Sequence, residues 1–97
     1  MHKAEAIAQL KRHAESIKAL GATSLYLFGS VARDQMPARD LDLFIDYDRD
    51  SRFNAFDLVG IKQYLEQALG VEVDLTTRDG LHPMLRSTIE QSAIRVF

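Results

Sequence analysis

Ser24-Leu25-Tyr26-Leu27-Phe28-Gly29-Ser30 and, ten residues after Ser30, Asp40-Leu41-Asp42-Leu43-Phe44-Ile45-Asp46-Tyr47 are the stretches on which the reading of this chain turns. The first is short, apolar and aromatic up to Phe28, then meets Gly29-Ser30, which predicts a buried strand running into a glycine turn. The second alternates strictly. Leu41, Leu43 and Ile45 fall on one face and Asp40, Asp42, Phe44 and Asp46 on the other, the period of a half-buried strand. A connection of about ten residues is marginal for a parallel crossover.

Helical periods surround these strands. Ile7, Leu10, Ala14 and Ile17 recur at steps of three and four, with Leu20 next to that stripe, and Gly21 follows as a stop. A second helix is expected from Ala55 to Leu69, with Leu58, Ile61, Leu65 and Ala68 as its apolar stripe and Gly70 closing it. Val71 to Leu75 alternates again, with Glu72 and Asp74 turned away from Val71, Val73 and Leu75. A last helix should run from Pro83 to Ser92, where a proline in the first turn costs no hydrogen bond, and Ile94 to Phe97 could add a short strand. The expectation is an α+β domain, a three- to four-stranded mixed sheet with flanking helices, spanning 1–97 as one unit.

Composition narrows the function classes. The 97 residues are 46% hydrophobic and 27% charged, ordinary globular values that exclude a disordered chain. No apolar run approaches the ~20 residues of a membrane span, and no membrane partner is expected. Without cysteine there are no disulfides or thiolate metal sites, which is compatible with a reducing cytoplasm. Twelve Lys+Arg against fourteen Asp+Glu, net charge -2, offer no bulk attraction to a nucleic-acid backbone, and no direct nucleic-acid binding is expected. An anionic substrate would more plausibly arrive with a metal ion.

The chemistry concentrates in Gly29-Ser30, Asp40-Leu41-Asp42 and Asp74. Two aspartates at i and i+2 of a strand point the same way with Cβ atoms roughly 6–7 Å apart, so each raises the other's pKa unless a cation lies between them. Mg²⁺ suits such a pair, because it takes one or two carboxylates and completes its shell with water and phosphate oxygens. Asp74 has the same outward parity; if its strand lies beside 40–47, three acids converge. That set suits metal-assisted phosphoryl or nucleotidyl transfer. Gly29 lets backbone approach a phosphate, Ser30 offers a hydroxyl, and Arg33 lies on the same side of the turn to neutralise charge. Each feature alone also has a plain structural reading as a turn or a solvated strand face; the joint order and spacing favour a site.

Leu27-Phe28-Gly29-Ser30-Val31-Ala32-Arg33 followed by Asp40-Leu41-Asp42-Leu43 resembles the motif of the DNA polymerase beta-like nucleotidyltransferase superfamily. With this length, and with Val73-Asp74-Leu75, Leu81-His82-Pro83 and Leu85-Arg86 behind it, the chain resembles minimal nucleotidyltransferases of the MNT type, the antitoxin half of HEPN/MNT toxin–antitoxin pairs. The resemblance implies Mg²⁺, ATP and a protein adenylyltransferase that moves AMP to a tyrosine hydroxyl of a HEPN RNase toxin. It assigns Gly29, Ser30 and Arg33 to the nucleotide, Asp40, Asp42 and Asp74 to metal, and Asp74 also to deprotonation of the acceptor. Asp34 and Arg39 depart from the commonest pattern, at places where glycine and serine often stand.

A binding protein that neutralises its partner by occlusion is the alternative. Adenylylation of a small molecule such as an antibiotic is a third reading, though relatives with that activity generally carry an additional domain. Among the remaining residues, His13 reads as surface or interface and His82 as the start of a helix. Phe53 and Phe56 read as core, and Asp46, Asp48 and Asp50 as a solvated strand end.

Overall fold

In the computed structural model, residues 1–33 and 40–97 are described. In chain order the elements are α1 (Lys3–Arg12), α2 (Ala14–Ala19), β1 (Ala22–Phe28), the single turn α3 (Gly29–Ala32), β2 (Asp40–Tyr47), α4 (Ala55–Leu69), β3 (Glu72–Thr77), a 3-10 turn (Arg78–Gly80), α5 (Pro83–Ser92) and β4 (Ile94–Arg95). The four strands form one mixed sheet in the order β3-β2-β1-β4. β1 runs antiparallel to β2 and to β4, while β2 and β3 are parallel. The fifteen-residue α4 supplies the long crossover that the parallel pair requires.

Alternation along the strands separates two faces. Leu25, Leu27, Leu41, Leu43, Ile45, Val73 and Leu75 turn into one hydrophobic cluster with Ala6 and Leu10 of α1, Ile17 of α2, and Ile61, Leu65 and Leu69 of α4. The α4 stripe therefore ends on Leu69, with Ala68 exposed, because a fully apolar stripe of a 3.6-residue helix continues from 61 and 65 to the next i+4 position. Asn54 caps α4 by accepting the Phe56 and Asp57 N–H groups, while Asp57 accepts the Asn54 N–H in return. Gly70 leaves the helix at φ 69°.

The first helical segment, expected as one, divides at His13. The His13 N–H bonds the Leu10 carbonyl at i−3, 3.1 Å, which tightens the turn, and its Nδ1 lies 2.7 Å from the Tyr64 hydroxyl of α4. Leu20 stands exposed beyond that stripe. Phe53 packs against the core and stacks on Tyr47 at 4.9 Å. Phe56 does not share that fate. It is 87% exposed, because in the first turn of α4 it follows the cap on the side away from the sheet.

The opposite face of the sheet carries Tyr26, Phe28, Asp40, Asp42, Phe44, Asp46 and Asp74. Phe44 is 0% exposed there although it lies outside the main cluster. Tyr26 stacks on it at 4.7 Å, Phe28 tilts against it at 5.8 Å, and the Arg78 guanidinium covers it at 5.0 Å.

Candidate active site

Strand pairing builds the site. Phe28, the last residue of β1, lies opposite Asp42, and Asp42 lies opposite Asp74 across the parallel pair. Asp40 sits one pleat before Asp42 on the same face. The three sequence-predicted acids therefore meet on one patch of neighbouring strands, directly beyond which the chain turns at Gly29.

That turn is built around the carboxylate. Gly29 has φ +79°, a conformation that L side chains rarely adopt. A β-carbon there would stand 3.0 Å from Asp42 Cγ and 3.2 Å from its Cβ, and closer still to Oδ2. Glycine thus satisfies two demands at once, the positive φ and the approach of main chain to Asp42. Ser30 follows, half-buried, in the first turn of α3, and the Arg33 N–H closes that turn on the Gly29 carbonyl at 3.2 Å.

Electrostatics mark Asp42 as the centre. Burial raises its carboxyl above the ordinary value of 3.8, and the charges of Asp40 and Asp74 raise it further, while Arg33 pulls it down. A half-buried carboxylate repelled by two others is a group that gains from a bound cation. Among the described residues no three His, Asp or Glu side chains close on one point as a ready-made metal cage. The donor set fits a hard divalent ion of the Mg²⁺ type, which uses one or two carboxylates and leaves the rest of its shell to water and phosphate. Asp40 and Asp42 would hold such an ion with Asp74 across from them.

On the α4 side a cleft of about 320 Å³ opens onto Asp40 and Asp74, walled by Lys62, Glu66, Glu72 and Val73. Glu66 is fixed there, its Oε2 accepting the Val73 N–H at 3.1 Å. His82 does what a helix start requires, with Nδ1 accepting the Met84 N–H. Asp34 and Arg39 lie outside the described residues.

Sequence reasoning passed over Arg78. Its Nε and Nη2 donate to the two oxygens of Asp46 at 2.7 and 3.0 Å, and Nη1 donates to Glu90 Oε2 at 2.6 Å. Asp46, expected among solvated acids, instead accepts this fork and the Ser24 hydroxyl at 2.7 Å, because the strand face brings Ser24 opposite it. Asp48 does stand exposed, accepting the Asp50 N–H in a surface turn. Only an arginine following a strand of the right parity hints at the Arg78 node in the sequence.

A glycine turn pressed against carboxylates paired across two strands is an arrangement that can serve nucleotidyl transfer. The chain belongs to the nucleotidyltransferase domain family, whose model matches residues 10–96. It is 32% identical over 90 residues, 90% of both chains, to a Methanocaldococcus jannaschii protein named “Putative protein adenylyltransferase”. A solved structure of a “putative minimal nucleotidyltransferase” superposes with a TM-score of 0.80 at 32% identity, covering 97% of this chain and 95% of the other. A chain from the structure of tri-AMPylated Shewanella oneidensis HEPN toxin in complex with MNT antitoxin superposes at 0.65, with 17% identity over 90% of this chain and 68% of that one. At such identity the likeness speaks for the fold.

Proposed function

We propose that this chain, acting as one domain over 1–97 in the cytoplasm, is a protein adenylyltransferase that transfers AMP from ATP to a tyrosine hydroxyl of a partner HEPN-type RNase toxin, and so serves as its antitoxin. The observation that carries the reading is the register Asp42 opposite Asp74 with the Gly29 main chain against the Asp42 carboxylate. The names of the relative and of the toxin–antitoxin neighbour support the acceptor class.

In this reading Gly29 and Ser30 take triphosphate oxygens and Arg33 neutralises part of their charge. Asp40 and Asp42, with Asp74 across from them completing the site, would hold Mg²⁺, which when bound would screen the developing phosphate charge and acidify the attacking hydroxyl. Asp74, facing the open cleft, receives the phenol proton as the tyrosine oxygen bonds to the α-phosphorus. The bond from that phosphorus to the β-phosphate oxygen breaks, and pyrophosphate leaves.

The protein, purified with whatever binds it in its native host, is incubated with Mg²⁺ and ATP and the partner followed by intact mass. A gain of one or more AMP units, lost in Asp42→Asn, is the expected result. A stable complex without mass change would replace transfer by neutralisation through binding.

A further inference from the structure

Asp74 faces Asp42 only while the parallel pair keeps its register. Side chains alternate along a strand, so a slip of one residue would carry Asp74 into the core and Val73 out of it. Parallel ladders are the less stable kind, and β3 is an edge strand with β2 on one side only. Near its start it is tied to α4 through the Glu66 bond to the Val73 N–H. At its end stands Arg78, the residue after Thr77 and four beyond Asp74.

We propose that Arg78 is a positioning residue for the site carboxylates: its two-pronged bond to Asp46 pins the end of β3 to β2 and keeps Asp74 opposite Asp42. Asp46 lies on the same strand and the same face as Asp42, four residues on, so the bond fixes β3 against the strand that carries the other two acids. The Ser24 hydroxyl ties Asp46 to β1, which leads into Gly29, and Glu90 ties Arg78 to α5. The Tyr26 and Phe44 rings, 4.8 and 5.0 Å from the guanidinium carbon, pack against the fork. A lysine would keep the charge but has no planar fork to fix two oxygens at once.

The inference rests on the transferase reading for its kinetic consequence, and the test separates the two. Arg78→Lys is assayed with ATP, Mg²⁺ and the co-purified partner at a temperature where its melt shows it fully folded. Hydrogen exchange of the β3 amides is followed in parallel. Displacement of a reacting group by about 1 Å can cost 10²-fold, so kcat should fall about 10- to 100-fold, with KM for ATP changed less than about three-fold. Exchange of the β3 amides should speed up more than that of β1. A folded Arg78→Lys with wild-type kcat and wild-type β3 exchange overturns the proposal. If Arg78→Lys does not fold, Asp46→Asn, which keeps the cation over the rings and weakens the fork, is read by the same criteria. If the wild-type protein transfers nothing, the transferase reading has failed. The exchange data then decide alone: faster β3 exchange supports the pin, and unchanged exchange removes it.

Discussion

Asp42 and Asp46 sit on one strand and one face, separated by Phe44 and about 13 Å of strand rise, yet their carboxyls are driven in opposite directions. Burial and the neighbouring Asp40 and Asp74 charges push Asp42 up. The Arg78 hydrogen bonds pull Asp46 down, with Ser24 helping. One end of the open face is thus left with unbalanced negative charge, and the other is closed by a network of charge-assisted bonds from two strands, the 3-10 turn and a helix. Residue type decides neither outcome; what faces the carboxylate decides both. The end that stores repulsion is the end to which the proposed function assigns the cation and the nucleotide.

The comparison breaks most sharply at Asp42. Asp42→Asn should lower transfer at least about 100-fold, the order of loss when one preorganised electrostatic group is removed, while the melting temperature of the metal-free protein rises because the repulsion is gone. Mass spectrometry and thermal unfolding of the same preparation check both halves. A drop in melting temperature would contradict the repulsion. Next comes the turn that presses on Asp42. Gly29→Ala forces a side chain into a positive φ and into the carboxylate and should cost about 1–3 kcal/mol of stability together with activity, read by denaturant melts.

At the paired end, Arg78→Met should cost about 2 kcal/mol, between the values for exposed and buried ion pairs, since both partners are only partly covered. Acid sharpens the contrast. Asp46 has its folded pKa below 3.8, so the stability it contributes is complete above that value and is lost as pH falls through the folded pKa. Asp42 is raised, so its cost is present above its folded pKa and disappears as pH falls toward 3.8. Melts across the acid range should show the Asp46 limb flattened in Arg78→Met and kept in Asp42→Asn. The smallest effect lies away from both ends: Asn54→Ala should remove about 1 kcal/mol by deleting the α4 cap, with transfer unchanged.

Much of this was legible in the chain. The β2 span 40–47, the α4 span 55–69 and the α5 span 83–92 are as the patterns predict, because each has a period and a physical boundary: alternation, Gly70, or Pro83. Parity alone put Asp40, Asp42 and Asp74 on outward faces; that they meet depended on β3 lying beside β2. The break at His13 was not legible, since no glycine or proline marks it and the partner of the His13 ring, the Tyr64 hydroxyl, lies 51 residues away. Phe56 was misread because hydrophobicity does not tell which side of a helix start meets the sheet. Arg78 was passed over because its partners lie 32 and 12 residues off in sequence.

By itself, then, the sequence determined most of the strands and helices and the faces they bury, and it singled out Gly29, Asp40, Asp42 and Asp74 as candidates, because periodicity and backbone stereochemistry are local. The tertiary structure alone decided that β3 pairs parallel with β2 in the register that sets Asp74 against Asp42. It alone made Asp46 the anchor and Asp42 the repelled centre. Register and charge pairing join residues distant along the chain, and only the folded sheet brings them face to face.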